Sequence, residues 1–98
     1  MRKIEQDMLS AIANGENWQS GNTSVTNDDE GITVRLHGHR IAWIPAHFGR
    51  SLRWLEVDIE TLRRWPTVTT KSRLRALGVD LTQTKGKIYI DGEFICMV

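Results

Sequence analysis

Three histidines are the residues most suited to chemistry by type, and two of them flank one glycine as His37-Gly38-His39. A metal centre needs three or four ligands converging on one point. His47 stands apart from the pair, and Cys96 is the sole thiol, so no standard ligand spacing is present. The pair reads as polar residues of a hairpin turn, and neither a metal nor a cofactor is expected. Cys96 lies in the apolar run Phe94 to Val98. Reactive thiols need electropositive, partly exposed surroundings, so this one reads as a packed strand residue. Asp28, Asp29 and Glu30 adjoin one another in a polar stretch. Acid–base pairs are assembled by the fold and tuned by burial, so three neighbouring carboxylates read as a solvated tip. No glycine-rich phosphate loop or nucleophile elbow occurs. An enzyme is the least supported class.

Binding is better supported than catalysis. Lys71, Arg73 and Arg75 fall on one segment, with Thr69, Thr70 and Ser72 between and before them. Hydroxyls and cations at a helix start suit phosphate contact. Arg63 and Arg64 lie just upstream beside Trp65, and Arg53 adjoins Trp54. Arg and Trp dominate binding hot spots, and Trp also stacks on unpaired bases. The alternative for the basic segment is a solvated helix face with no partner. Net charge is only +1, which argues neither for a DNA mimic nor for a strongly basic nucleic-acid binder. The charge is unevenly spread: residues 1–30 sum to −4 and residues 31–98 to +5. Such asymmetry marks a polar partner surface or a mixed solvated one.

The elements that position these residues follow from periodicity. With 98 residues, 40% of them hydrophobic and 26% charged, the chain suits one small domain with one core. Ile4, Met8 and Ile12, with Ala11 beside them, form the stripe of an N-terminal helix, with Glu5 off it and Asn14-Gly15 as the stop. Residues 15–22 read as a loop tied to the core by Trp18. The period then changes to two. Strands are expected over 23–26, 32–36, 41–44 and 52–59, with Pro45 ending the third. Leu55, Val57 and Ile59 share one face of the fourth. Residues 60–65 read as a helical turn before Pro66. Thr69 or Thr70 caps a second, basic helix over 70–77, closed by Gly78 with Val79 on Leu74. A type I′ hairpin at Asp91-Gly92 ends the chain, preceded by a short strand, 81–84, and a turn at Lys85-Gly86. The expected fold is α+β: a single domain, 1–98, with an antiparallel meander of about four strands, an N-terminal helix, a short basic helix and a C-terminal β-hairpin. No signal peptide or membrane span is visible, which points to the cytoplasm and away from a membrane.

Four phrases carry a resemblance: GNTSV at 21–25, VRLHGHRIAWI at 34–44, WPTVTTKSRLRALG at 65–78 and KGKIYIDGEFI at 85–95. In that order the chain resembles small proteins encoded by tailed phages, especially the short-tailed podoviruses. The resemblance implies a phage context and carries over no catalytic residue. Small phage proteins without enzymatic motifs often bind and block a host protein. The expected function is therefore a phage accessory protein, a host-takeover or anti-defence factor, that binds and inhibits a host macromolecule in the host cytoplasm as a monomer or homodimer. Its expected partner surface is Arg53, Trp54, Arg63, Arg64, Lys71, Arg73 and Arg75. The alternative is a nucleic-acid-binding regulator using the helix 70–77.

Overall fold

The computed structural model describes all residues, Met1–Val98. Helix α1 spans Lys3–Asn14 and buries Met8, Ala11 and Ile12. It stops as the Asn-Gly pair predicts. The Gly15 N–H donates to the Ile12 carbonyl at 3.2 Å, and the Glu16 N–H donates to the Ala11 carbonyl at 2.9 Å, the paired bonds of a Schellman motif. Glu5 departs from expectation and is buried with the stripe.

Five antiparallel strands follow in sequence order: β1 (Trp18–Ser20), β2 (Thr23–Asp28), β3 (Gly31–Leu36), β4 (His39–Pro45) and β5 (Glu56–Val57). The segment read as a loop thus contains an edge strand. Trp18 pairs with Val25, which puts both on the inner face, and the indole packs on the core. Val25, Ile32, Val34, Leu36, Ala42 and Ile44 fill that face. Ile41 and Ala42 are adjacent yet both buried. Arg35 pairs with Arg40 and Val34 with Ala42, so Ile41 is the extra residue of a bulge, which turns it inward. The β3–β4 connection is a two-residue turn with His37 at φ 52° and Gly38 at φ 80°. Positive φ at both positions defines type I′, whose twist matches the strands it joins. Lys85 and Asp91 open their turns with the same φ of 52°.

The strand expected over 52–59 is a correction. Only Glu56 and Val57 pair with β4. Ala46–Phe48 and Leu52–Trp54 are 3-10 turns. Asp58 then accepts the Thr61 N–H at 3.1 Å and caps helix α2 (Ile59–Arg64), so Ile59 belongs to a helix. Leu55 and Val57 still pack on the core, which is why their spacing resembled a longer strand.

Helix α3 covers Val68–Ala76 and starts earlier than expected. Its cap is Thr67, whose Oγ1 accepts the Thr70 N–H at 3.1 Å. The far end is as expected: Gly78 donates to the Arg75 carbonyl at 3.0 Å and Val79 to the Leu74 carbonyl at 3.1 Å. A second antiparallel sheet closes the chain, made of β6 (Leu81–Thr84), β7 (Lys87–Ile90) and β8 (Glu93–Met97). One core unites the parts. Met8 and Ile12 of α1, Ile44 of β4, Leu62 of α2, Leu74 of α3, and Leu81 and Ile88 of the second sheet all join it. The fold class is α+β, with one more strand in the meander than expected. No helix is long and apolar enough to cross a membrane.

Candidate interaction surface

The basic helix presents only one of its three cations, Arg75. Arg73 is 4% exposed. Its guanidinium donates to Glu5 Oε2 at 2.8 Å and to Thr23 Oγ1 at 3.0 Å. The Ser72 hydroxyl reaches the same Glu5 oxygen at 2.5 Å. Three elements, α1, α3 and β2, are thereby tied together at one buried ion pair. A buried charge is tolerated only when paired and hydrogen-bonded, and no buried side-chain polar atom here lacks a partner. Burial alone raises the Glu5 carboxyl. The hydrogen bonds from Ser72 and Arg73, with the charge of Arg73, outweigh it and hold the group below its ordinary range.

Lys71 is also buried, with its Nζ donating to Gln83 Oε1 on β6. Arg75 donates through Nε to the Leu81 carbonyl at 3.0 Å. Of the three residues expected as a partner surface, Lys71 and Arg73 are buried and pin α3 to its neighbours, while Arg75 makes its contact from the exposed face. The signal was present in the spacing. Thr70, Arg73, Leu74 and Leu77 recur at i, i+3, i+4 and i+7, and all four are buried. Glu5, Met8 and Ile12 recur at i, i+3 and i+7 on α1.

Arg53 and Trp54 are exposed and organised. Trp54 is 47% exposed and stacks on Phe48, with ring centroids 4.6 Å apart and planes at 12°. Phe48 meets His47 at 4.1 Å. The Arg53 guanidinium lies 5.6 Å from the Trp54 ring centroid, and Leu52 beside them is exposed. Backbone bonds shape the segment: Gly49 to Ala46 at 3.0 Å, Trp54 to Ser51 at 3.2 Å and Leu55 to Leu52 at 3.1 Å. Arg50 anchors it to the end of α1 by donating to the Ala13 carbonyl at 3.1 Å.

Arg63 and Arg64 form a second group at the opposite end of β4. Arg63 pairs with Glu60 at 3.3 Å and donates to the Ile95 carbonyl of β8 at 3.4 Å. Arg64 has no ion-pair partner, and its guanidinium lies 5.7 Å from the Trp65 ring centroid. Trp65 stacks on His39 at 4.1 Å with planes at 25°. A cleft of about 320 Å³ opens between the His37–His39 turn, Trp65 and the hydroxyl residues Thr61, Thr67 and Thr69. His47 lies beyond the other end of β4, and no three His, Cys, Asp or Glu side chains converge anywhere. Cys96 is half-buried in β8 opposite Ile88.

The candidate residues therefore separate into a buried pair, Lys71 and Arg73, the exposed Arg75 beside it, and two surface groups. No curated protein and no solved structure matches the chain. A phage family model does match it, described as Kyanoviridae Gp96 protein and covering residues 1–97. Kyanoviridae are cyanophage myoviruses, so the match supports the phage context and does not support a short-tailed podovirus placement. With the match running over nearly its whole length, the chain belongs to the Kyanoviridae Gp96 family.

Proposed function

We propose that this phage accessory protein binds and inhibits a host protein, as a host-takeover or anti-defence factor in the host cytoplasm, and acts by binding rather than by catalysis. The observation that carries the reading is the exposed Phe48–Trp54 stack with Arg53 beside it. A half-exposed indole held flat against another ring is already ordered. Little side-chain freedom is then lost on association, and Trp and Arg are the residues on which interface energies concentrate. The nucleic-acid reading of helix 70–77 has less support, because Lys71 and Arg73 are buried and Arg75 is the one exposed cation there.

The test is affinity capture of the tagged protein from host lysate, with and without nuclease, read by mass spectrometry. One host protein is expected to survive nuclease treatment. The Trp54→Ala variant should weaken its binding about 30-fold or more, the effect of losing a hot spot of about 2 kcal/mol. Unchanged capture by Trp54→Ala and Arg53→Ala refutes the assignment of this surface. Enrichment that vanishes with nuclease refutes the protein-partner reading.

A further inference from the structure

We infer that the outer face of the C-terminal sheet is a self-association surface, on which a second copy of this chain packs about a two-fold axis running across the strands. The surface is separate from the Trp54 stack, and the inference does not rest on the proposed function.

Alternation decides what this face carries. Leu81, Ile88, Ile90 and Cys96 pack on the core, so the residues alternating with them point outward. Thr82 pairs with Tyr89, Tyr89 with Phe94, and Lys87 with Met97, which places all five on the outer face. An antiparallel sheet with one side on the core normally turns polar residues to water. The first sheet obeys this rule. Its outward pairs are Ser24 with Arg35 and Thr26 with Thr33, and its outward Trp43 is covered by the Arg40 guanidinium at 3.8 Å. The second sheet departs from it. Phe94 is 54% exposed and Met97 57%. Tyr89 meets Phe94 only edge-on, with centroids 5.9 Å apart and planes at 72°. The exposed Val98 extends the same apolar strip, held by its N–H donating to the Gly86 carbonyl at 2.8 Å.

Charge then selects the occupant. Lys85 and Lys87 stand at one end of the β7–β8 ladder, Asp91 and Glu93 at the other, and all four are exposed. The ion pairs of the chain, Lys3–Asp7, Arg40–Asp58, Arg63–Glu60 and Arg73–Glu5, include none of them. The face is therefore apolar in the middle, cationic at one end and anionic at the other. A partner of one charge sign satisfies only one end, whereas a reversed copy of the same face satisfies both. A two-fold axis along the strands would set each charged end on its own kind. An axis across the strands reverses their direction and brings Lys85 and Lys87 of each copy to Asp91 and Glu93 of the other, with the Phe94 rings between. The contact is isologous, so each attraction occurs twice. Three strands about 4.8 Å apart make a small face, which suits a weak, concentration-dependent dimer.

The test is sedimentation velocity of the intact chain at concentrations up to about 1 mM, with variants at exposed positions whose folding is checked by circular dichroism. The chain is expected to pass from monomer to dimer as concentration rises. Phe94→Ser should weaken association at least about tenfold. Lys87→Glu and Glu93→Lys should each do the same alone, because like charges then oppose one another twice. Mixing those two variants should restore association, since each chain again meets opposite charge at both ends. Trp54→Ala should leave the dimer unchanged. Three results overturn the inference: monomer at every concentration, a dimer indifferent to Phe94→Ser and to both charge reversals, or a mixture that associates no better than either variant alone.

Discussion

Arg73→Met offers a direct test of how this fold uses its charges. The substitution keeps an unbranched chain but removes the guanidinium. Glu5 then stays buried with only Ser72 as a side-chain donor, and Thr23 loses its Arg73 partner. Removing one member of a buried pair costs about 3–5 kcal/mol, because the other charge is stranded. A chain of 98 residues has about 5–15 kcal/mol to lose. For a domain near this size each kcal/mol shifts Tm by about 4–8 °C, so a fall of at least about 12 °C is expected. Urea unfolding followed by circular dichroism measures the change directly. The companion variant Glu5→Leu/Arg73→Met removes both charges. Thr23 still donates to Asn22 Oδ1 at 2.9 Å, and the half-buried Ser72 reaches water. Most of the loss should therefore be recovered, with a coupling of about 2–3 kcal/mol between the two sites. If Arg73→Met stays within about 0.5 kcal/mol of the parent, as surface substitutions do, Arg73 is solvated and the account of α3 is wrong.

Two further predictions concern stability. Glu5 and Asp58 both ionise more readily than in the unfolded chain. At Asp58, burial pulls the other way but is outweighed by the Thr61 and Arg40 hydrogen bonds. A lowered carboxyl pKa contributes stability that is fully present above the unfolded value and is lost as pH falls through the folded one. Urea midpoints should therefore hold above about pH 5 and drop below about pH 4. Asp58→Asn, which keeps the helix cap, should drop less, and a flat parent profile contradicts the pairing. At Gly31, φ is +131°, and an added Cβ would stand 2.0 Å from the Ile44 carbonyl oxygen on β4. Gly31→Ala should cost about 3 kcal/mol or more, combining backbone strain with a broken β3–β4 approach. Gly21→Ala, with open space at its Cβ, should cost about 1 kcal/mol in the same melts, and equal losses refute the argument.

Much of the fold was legible where one local rule acts alone. Alternation gave β3 and β4, the Asp-Gly pair gave the last turn, and Gly78 with Val79 gave the stop of α3. Each is decided by neighbours in sequence. Residues 52–59 misled because Leu55 and Val57 do pack on the core. Their neighbours, however, follow the 3-10 turn before and the Asp58 cap after. Cap choice at α3 was ambiguous among threonines, since Thr67, Thr69 and Thr70 all have the right chemistry. Pro66 leaves its successor as the first residue able to cap. The burial of Glu5 and Arg73 was harder to see. Their types say surface while their positions say core, and only a partner from a distant segment resolves the conflict. His39 and Trp65 meet for a similar reason: strand pairing and the α2 stop bring them together, with no local signature for the stack.

The charge asymmetry bears on recognition in a way that the sequence total conceals. Glu5 from the acidic N-terminal stretch is neutralised by Arg73 from the basic remainder, inside the protein. Arg40 with Asp58, Arg63 with Glu60 and Lys3 with Asp7 are paired as well. Paired charges of opposite sign cancel at distances beyond about 8–10 Å in physiological salt. With a net charge of +1, the molecule has little long-range field with which to steer a partner. Recognition must then rest on short-range contacts, which the proposed Trp54 surface supplies. That surface joins aromatic area to one guanidinium, so its binding should respond weakly to salt.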